Sequence, residues 1–410
     1  MTWLVLMLPA LFVTAALAQT TLPEVQVTTA AIPDYEFDWG RYGVPCATCN
    51  FGDGNARFVF SDAANNLWLG HVDYQTGNFY PPDGHGVLID TGVAAATDFG
   101  NGPEWMYSAS GSAVVYTKFL GQQPHSALTA GVAVASMVNG AWSGAFVPSN
   151  PLGRNSPLAT VDVNDPAPRF SYVDANRSHQ YWRSMTSLNV EHALPISQIS
   201  DGSSRRWVPG THSLIFAGKA PPDPSGVVRN QMFLYDTDAG TLQQLTFEPT
   251  DKLGGFMWQA PEFNNEKVFF TIADRKQLLV YRKLPNAQGV PTWTVVKSAT
   301  GPAMLPYLFS AEPFIHNGHS YVFMTVSSSQ DFTDTSVPTQ LALTGVDPQV
   351  VNFRMLTNDS TIKRVRQDPE YFITAQGPFI YYNRIVPSTS TRPPVNDGVW
   401  RVDTKLGPPH

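Results

Sequence analysis

Only two cysteines occur in 410 residues, three positions apart at Cys46 and Cys49, so no framework of disulfides spans the chain. Charge is sparse as well: Asp, Glu, Lys and Arg make up 14% of residues, with a net charge of −7. Basic residues are scattered, and the densest run, Lys363-Arg364-Val365-Arg366, is followed closely by Asp368 and Glu370. Nucleic acid is therefore not expected as a partner, because it requires a basic stripe facing phosphate. No basic amphipathic helix points to a membrane surface. Outside the N-terminus no window keeps a 3.6-residue apolar period over three turns, which leaves little or no helix. A G-x-S-x-G elbow, an H-E-x-x-H zinc motif and a phosphate-cradling glycine loop are all lacking, which removes the commonest serine hydrolase, metalloprotease and NTPase chemistries. The nine histidines are dispersed, so neither metal nor cofactor is expected.

What the chain does have is glycine (31), proline (34) and aromatic residues (12%), a composition suited to turn-rich β structure. A short phrase also recurs. Pro103-Glu104-Trp105 leads into Val114-Val115-Tyr116-Thr117, and Pro261-Glu262-Phe263 into Val268-Phe269-Phe270-Thr271. Glu312-Pro313-Phe314 leads into Tyr321-Val322-Phe323-Met324, and Pro369-Glu370-Tyr371 into Phe379-Ile380-Tyr381-Tyr382. Each copy reads as a strand ending in an aromatic residue, a tight turn and a second strand. Weaker copies begin at Arg57-Phe58, Arg169-Phe170 and Arg206-Trp207. The seven anchors, from Phe58 to Tyr371, lie about 52 residues apart on average, the length of one four-stranded propeller blade. Seven blades follow, or six if the Phe170 copy is an insertion.

Residues 4 to 17 form an apolar run that ends in Ala16-Leu17-Ala18, a small-x-small cleavage pattern. The reading is a signal peptide at 1–18, an N-terminal segment at 19–54 holding the cysteine pair and a candidate ring-closing strand, and a propeller at 55–410. Secretion is expected, with a Cys46–Cys49 disulfide stapling the N-terminal segment and glycosylation at the sequons of Asn176 and Asn358. A redox pair would want a βαβ setting, and a zinc site two further ligands at matching spacing nearby; neither is found.

The order of acid-aromatic, turn, strand, Leu234-Tyr235-Asp236, turn, Gln244-Leu245-Thr246 resembles the TolB-type, WD40-like propeller repeat over most of residues 55–405. The resemblance implies an all-β, six- or seven-bladed propeller whose central channel is lined by the first strand of each blade. If the repeated phrase lies on that strand, Glu104, Glu262, Glu312 and Glu370 occupy related places, and period-two alternation turns either the acids or the aromatic residues to the axis; the large aromatic residues suit the space between blades, which leaves the acids facing the channel. Carboxylates gathered there would raise one another's pKa and serve as general acid or base. The structural alternative is that each Glu bonds the neighbouring blade's backbone. Arg169 and Arg206 stand at the related place in two copies and would pair with the acids. Trp105, Phe170, Trp207, His212, Trp258 and Tyr371 are the candidate substrate-binding residues, as platforms for a flat apolar molecule or a sugar face.

Three classes of function fit. The first is a cofactor-independent cyclase or isomerase that holds an apolar small molecule in near-attack geometry. In overall type the chain resembles the secreted fungal hetero-Diels-Alderases of tropolone sesquiterpenoid biosynthesis, which implies a pericyclic step; no site residue carries over from that family. The second is a glycan-active lyase or hydrolase working through paired carboxyls, and the third a non-enzymatic binding propeller. The expected partner is a small-molecule substrate, and the expected state a monomer or weak homo-oligomer.

Overall fold

The computed structural model describes residues 22–38, 56–121, 125–149, 152–195, 205–347, 350–358 and 362–410. The expected signal peptide at 1–18 and the Cys46–Cys49 pair lie outside them. Seven antiparallel sheets surround one axis. Taken from the inside outwards, blade 1 is built from Glu36–Phe37, Arg57–Ser61, Asn66–Val72 and Phe79–Tyr80, with Val87–Thr91 also paired to the third strand. Blade 2 is Glu104–Ser108, Gly111–Phe119, Ala130–Val138 and Ala141–Phe146, and blade 3 is Arg154–Ala159, Arg169–Asp174, Gln180–Ser184 and His192–Ala193. Blade 4 is Arg206–Trp207, Ser213–Lys219, Asn230–Asp236 and Thr241–Gln244, and blade 5 is Lys252–Ala260, Glu266–Ala273, Gln277–Pro285 and Pro291–Thr300. Blade 6 is Tyr307–His316, His319–Ser327, Thr339–Gly345 and Arg354–Met355. Blade 7 takes Val365–Thr374, Gly377–Val386 and Val395–Asp403 from the C-terminal part of the chain, and its outer strand, Glu24–Gln26, from the N-terminal part. The inner strands touch in sequence from blade 1 to blade 7 and back to blade 1. Helix among the described residues is confined to the turn Ala96–Phe99 and a 3-10 turn at Pro261–Phe263.

The ring closes by strand exchange between the two ends of the chain. Glu24 pairs in register with Val402 and Gln26 with Trp400. The Glu24 carboxylate accepts two bonds from the buried Arg366 guanidinium, both at 2.9 Å, and one from the Tyr382 hydroxyl at 2.5 Å. Such bidentate pairing is the strong form of a charge-assisted bond. It fixes the closing strand, which is only three residues long.

Aromatic residues fill the gaps between blades, as alternation on the inner strands requires. Trp105 packs with Val59, Leu69 and Tyr116 between blades 1 and 2, and Phe170 with Met106 and Val115 between blades 2 and 3. Trp207 meets Leu158 and Trp182 between blades 3 and 4, while Trp258 meets Val322 and Met324 between blades 5 and 6. The tryptophans also join neighbours by their indole N–H. Trp105 Nε1 donates to the carbonyl of Glu36 and Trp207 Nε1 to that of Leu158, each at 2.9 Å and each across to the preceding blade's inner strand.

Two anchors sit one strand further out than the sequence suggests. Phe58 and Phe170 are on second strands, so the Phe170 copy is no insertion and the blade count is seven. Blade 1's inner strand is the acid-aromatic pair Glu36-Phe37, and the sheets accordingly take in residues 24–26 and 36–37 of the N-terminal part.

Candidate functional site

The inner strands of blades 3, 5, 6 and 7 each carry a bulge at a corresponding place, after Asn155, Leu253, Phe309 and Gln367. Within each bulge one residue turns into the left-handed region: Ser156, Gly254, Ser310 and Asp368. Blade 1 shows no such bulge, but Asp34, just before its inner strand, is also left-handed, with φ of 50°. A bulge bends its strand and re-aims the side chains that follow. In three blades the residue two positions on is an acid: Glu36, Glu312 and Glu370. Glu104 opens the inner strand of blade 2 and adds a further carboxyl.

The result is a central group of six carboxyls, Asp34, Glu36, Glu104, Glu312, Asp368 and Glu370, within electrostatic reach of one another. Arg206 of blade 4 is among them; its Nη2 lies 3.6 Å from Glu312 Oε1, and its guanidinium is 4.9 Å from the centre of the Phe256 ring. Next to it, Arg205 is fully buried, with Nε donating to Ser171 Oγ at 3.1 Å and Nη2 to the Ser156 carbonyl. The Asp34 amide donates to Asp368 Oδ2 at 2.6 Å, linking blades 1 and 7 at the axis. The side chains of Glu312 and Arg206 keep 23% and 25% exposure, so the space between them admits water.

Burial is the main force on these groups, and it favours their neutral forms. Glu104 is pushed up to about 8 by burial and by Asp34 and Glu312, against the pull of Arg206. Glu312 rises to about 7 from burial, again opposed by Arg206. Asp34 rises to about 6 for the same reason. Burial and neighbouring acids hold Glu36, Asp368 and Glu370 well above the ordinary carboxylate range. Arg206, although half-buried, is kept charged by Glu312, Glu104, Glu36 and Glu370. The group therefore offers protonated carboxyls and at least one ionisable near neutrality. Among the described residues no three His, Cys, Asp or Glu side chains converge to hold a metal ion.

The expected site residues are divided by the fold. Glu104, Glu312 and Glu370 stand together at the axis. Glu262 does not: it lies in the 3-10 turn after blade 5's inner strand and accepts 3.0 Å bonds from the Ser320 amide and hydroxyl of blade 6. That is the backbone-bonding arrangement weighed as the structural alternative, and it arises because the phrase Pro-Glu-Phe follows the inner strand here instead of lying on it. Arg169 is also elsewhere, since it belongs to a second strand and bonds Thr237 and Asp238. The aromatic candidates Trp105, Phe170, Trp207, Trp258 and Tyr371 are all core, at 4% exposure or less, and present no face to a ligand. His212 sits in a turn between blade 4's first two strands, its ring nitrogens 3.0 Å from Asp165 and 2.9 Å from Asp238. This clasp joins blades 3 and 4 away from the acid group. Asn176 and Asn358 are exposed.

Asp34, Glu36 and Asp368 escaped the sequence reading. Glu36-Phe37 repeats the acid-aromatic dipeptide of 104–105 and 370–371, a signal that was present. Asp34 and Asp368 are each two residues before such an acid, and each is itself left-handed, Asp368 within a bulge and Asp34 just before its strand. Two cavities, of about 540 and 560 Å³, are each lined in part by the stacked Phe119 and His125 and by none of the six axial carboxyls.

No family model and no curated protein matches the chain. Its likeness is to solved propellers. The Cps50 β-propeller domain of Myceliophteria thermophila is 8% identical, with 92% of this chain and 99% of that one covered at a TM-score of 0.51. The oligogalacturonate lyase of Vibrio parahaemolyticus is 10% identical, with 95% of each covered at 0.51. A fungal alcohol oxidase of the AA5 family, solved with copper, is 13% identical, with 94% and 76% covered at 0.53. TolB from Acinetobacter baumannii is also among the similar structures, at 0.37. The chain spans 35% of the length of the tricorn protease, another similar structure. At these identities the likeness of the three structures above 0.5 shows the propeller fold alone, with the count of seven blades given by the sheets, and a fold of this kind hosts enzymes and binding modules alike.

Proposed function

We propose that the protein is a cofactor-independent enzyme whose axial carboxyls give protons or hydrogen bonds to a small molecule and take the protons back, in a cyclisation, isomerisation or elimination. The observation that carries this reading is the arrangement of Glu104 and Glu312 around Arg206, with burial poising both carboxyls near neutrality. An acid works best when its pKa lies near the working pH, and typically contributes 10²–10⁴-fold. A protonated carboxyl that donates to a substrate carbonyl draws charge from the conjugated system behind it. That is the form in which the site supports a hetero-Diels-Alder cyclisation. An aromatic cradle does not support it, because those side chains are spent on the core.

The charge balance also speaks about substrate. A polyuronate's carboxylates would meet only the Arg206 guanidinium, which already lies beside Glu312, so the substrate implied by the name of the similar lyase is not carried over. A neutral or cationic molecule fits better.

The test is turnover. The purified protein is incubated with a quinone methide precursor and a hydroxylated terpene, and separately with neutral and uronic oligosaccharides. Expected is product from the first pair, lost in Glu104→Gln and Glu312→Gln and kept in Glu262→Gln. Yields equal with and without protein in every arm overturn the proposal, as does full activity in both axial variants.

A further inference from the structure

The axis sets six carboxyls beside the guanidinium of Arg206, and one of these carboxyls has no hydrogen-bond partner among the described residues. Glu370 is 9% exposed, faces Glu312, Glu36, Asp368 and Asp34, and its carboxyl makes no hydrogen bond among the described residues. Asp34 Oδ2 is buried without a partner as well. Buried polar groups are nearly always bonded, and the exceptions call for an explanation. A nine-tenths buried acid aimed at a group of acids is satisfied by a ligand that brings both positive charge and hydrogen-bond donors.

A metal ion does not meet these acceptors, because oxygen ligands must converge to 2.3–2.6 Å of one calcium, or closer for magnesium, and no such set of three exists among the described residues. The carboxyls come from strands of blades 1, 2, 6 and 7 and are spread around the axis. An ammonium nitrogen suits that spread: it carries up to three N–H donors at about 2.8 Å and is satisfied by acceptors on different sides. Arg206 already occupies the blade 4 side through Glu312, so the unsatisfied acceptors are those of blades 7 and 1.

We infer that the axial group is a recognition site for the protonated amine of a small organic molecule, held by Glu370, Asp34 and Asp368, and that its binding expels protons. This rests on the reading of the axis as the working site, and narrows its substrate to amine-bearing molecules. Proton release follows from linkage: a bound cation favours the ionised carboxyls, so groups that were protonated must give up their protons.

The experiment is a pH-stat titration of the full chain at pH 7 in unbuffered potassium chloride, with methylammonium chloride as probe. Tetramethylammonium at equal ionic strength is the control, since it has the charge without the N–H donors. Expected is saturable proton release with methylammonium, little with tetramethylammonium, and at least a fivefold weaker midpoint in Glu370→Gln. Glu262→Gln, which removes a carboxyl outside the site, keeps the full release. Absent release from the folded wild type, or equal release with both cations, overturns the inference. Release that calcium provokes and methylammonium does not overturns it in favour of a metal site. Proton release without turnover of any substrate leaves the amine site standing and rejects the catalytic reading; turnover of neutral substrates without proton release does the opposite.

Discussion

Arg206 Nη2 lies 3.6 Å from Glu312 Oε1, which joins blade 4 to blade 6 past the intervening inner strand of blade 5. That strand carries its bulge at Gly254, and the ring of Phe256 that follows lies 4.9 Å from the guanidinium. The pair sets the electrostatics of the whole axis, since Arg206 lowers Glu312 and Glu104 together. Arg206→Met keeps the length and apolar contact while removing the charge. The carboxyl titration of the axial group, followed by carbon-13 NMR, should then move to higher pH by about one unit or more. An unchanged titration would mean that the guanidinium is screened by water in the channel.

The raised carboxyls make stability fall with rising pH. Glu104 ordinarily titrates at 4.5 and does so at about 8 when folded, so between these values the native state holds a proton that the unfolded chain has lost. Raising the pH through that window removes stability, which is fully present only below it. Glu104→Gln has nothing to titrate. Its melting temperature should match the wild type near pH 4.5 and exceed it by several degrees above pH 8. Parallel curves across the range would show that Glu104 is no more protonated in the fold than outside it.

Ser310 stores backbone strain that glycine would relieve. It is exposed, its φ is 45°, and it forms the bulge that turns Glu312 to the axis. A non-glycine residue in this region costs about 1–2 kcal/mol. Ser310→Gly should raise stability by about 1 kcal/mol in chemical unfolding, less the added freedom of the unfolded chain, with the axial titration unchanged. Ser310→Val, branched at Cβ, should lower it. A stability loss in the glycine variant would mean that the hydroxyl has a bonding role.

Most of the architecture was legible because repetition is a strong signal: Glu104-Trp105, Glu312-Pro313-Phe314 and Glu370-Tyr371 each mark an inner strand, and their aromatic residues pack between blades as alternation demands. Glu262 shows the limit. The same three letters, Pro-Glu-Phe, fall one turn later in blade 5, where they cap the neighbouring blade instead of facing the axis. Register within a repeat is set by bulges, and a bulge has no letter of its own: serine, glycine and aspartate all serve at Ser310, Gly254 and Asp368. Asp368 was hidden for that reason. The aromatic candidates were misread in the other direction, since a residue type suited to a ligand platform is equally suited to a core, and burial decides between them.

Closure of the ring depends on pH in the opposite sense from the axis. Burial alone would raise Glu24, but the bonds and charge of Arg366, the Tyr382 hydroxyl and Arg384 outweigh it and hold the carboxyl below its ordinary value. Its stabilising contribution is therefore present above that ordinary value and is lost as the pH falls through the lowered one. Glu24→Gln leaves Arg366, a fully buried guanidinium, without its counter-charge. Removing one partner of a buried pair costs about 3 kcal/mol or more, so the variant should unfold at lower urea concentration at pH 7, with the difference shrinking towards pH 3. Because Glu24–Gln26 is held to Val395–Asp403 by three registered pairs, the local effect comes first: amides of Val395–Asp403 should exchange faster in the variant than those of blades 3 and 4. Uniform protection across the blades, with a stability difference that does not depend on pH, would show that strand pairing alone closes the ring.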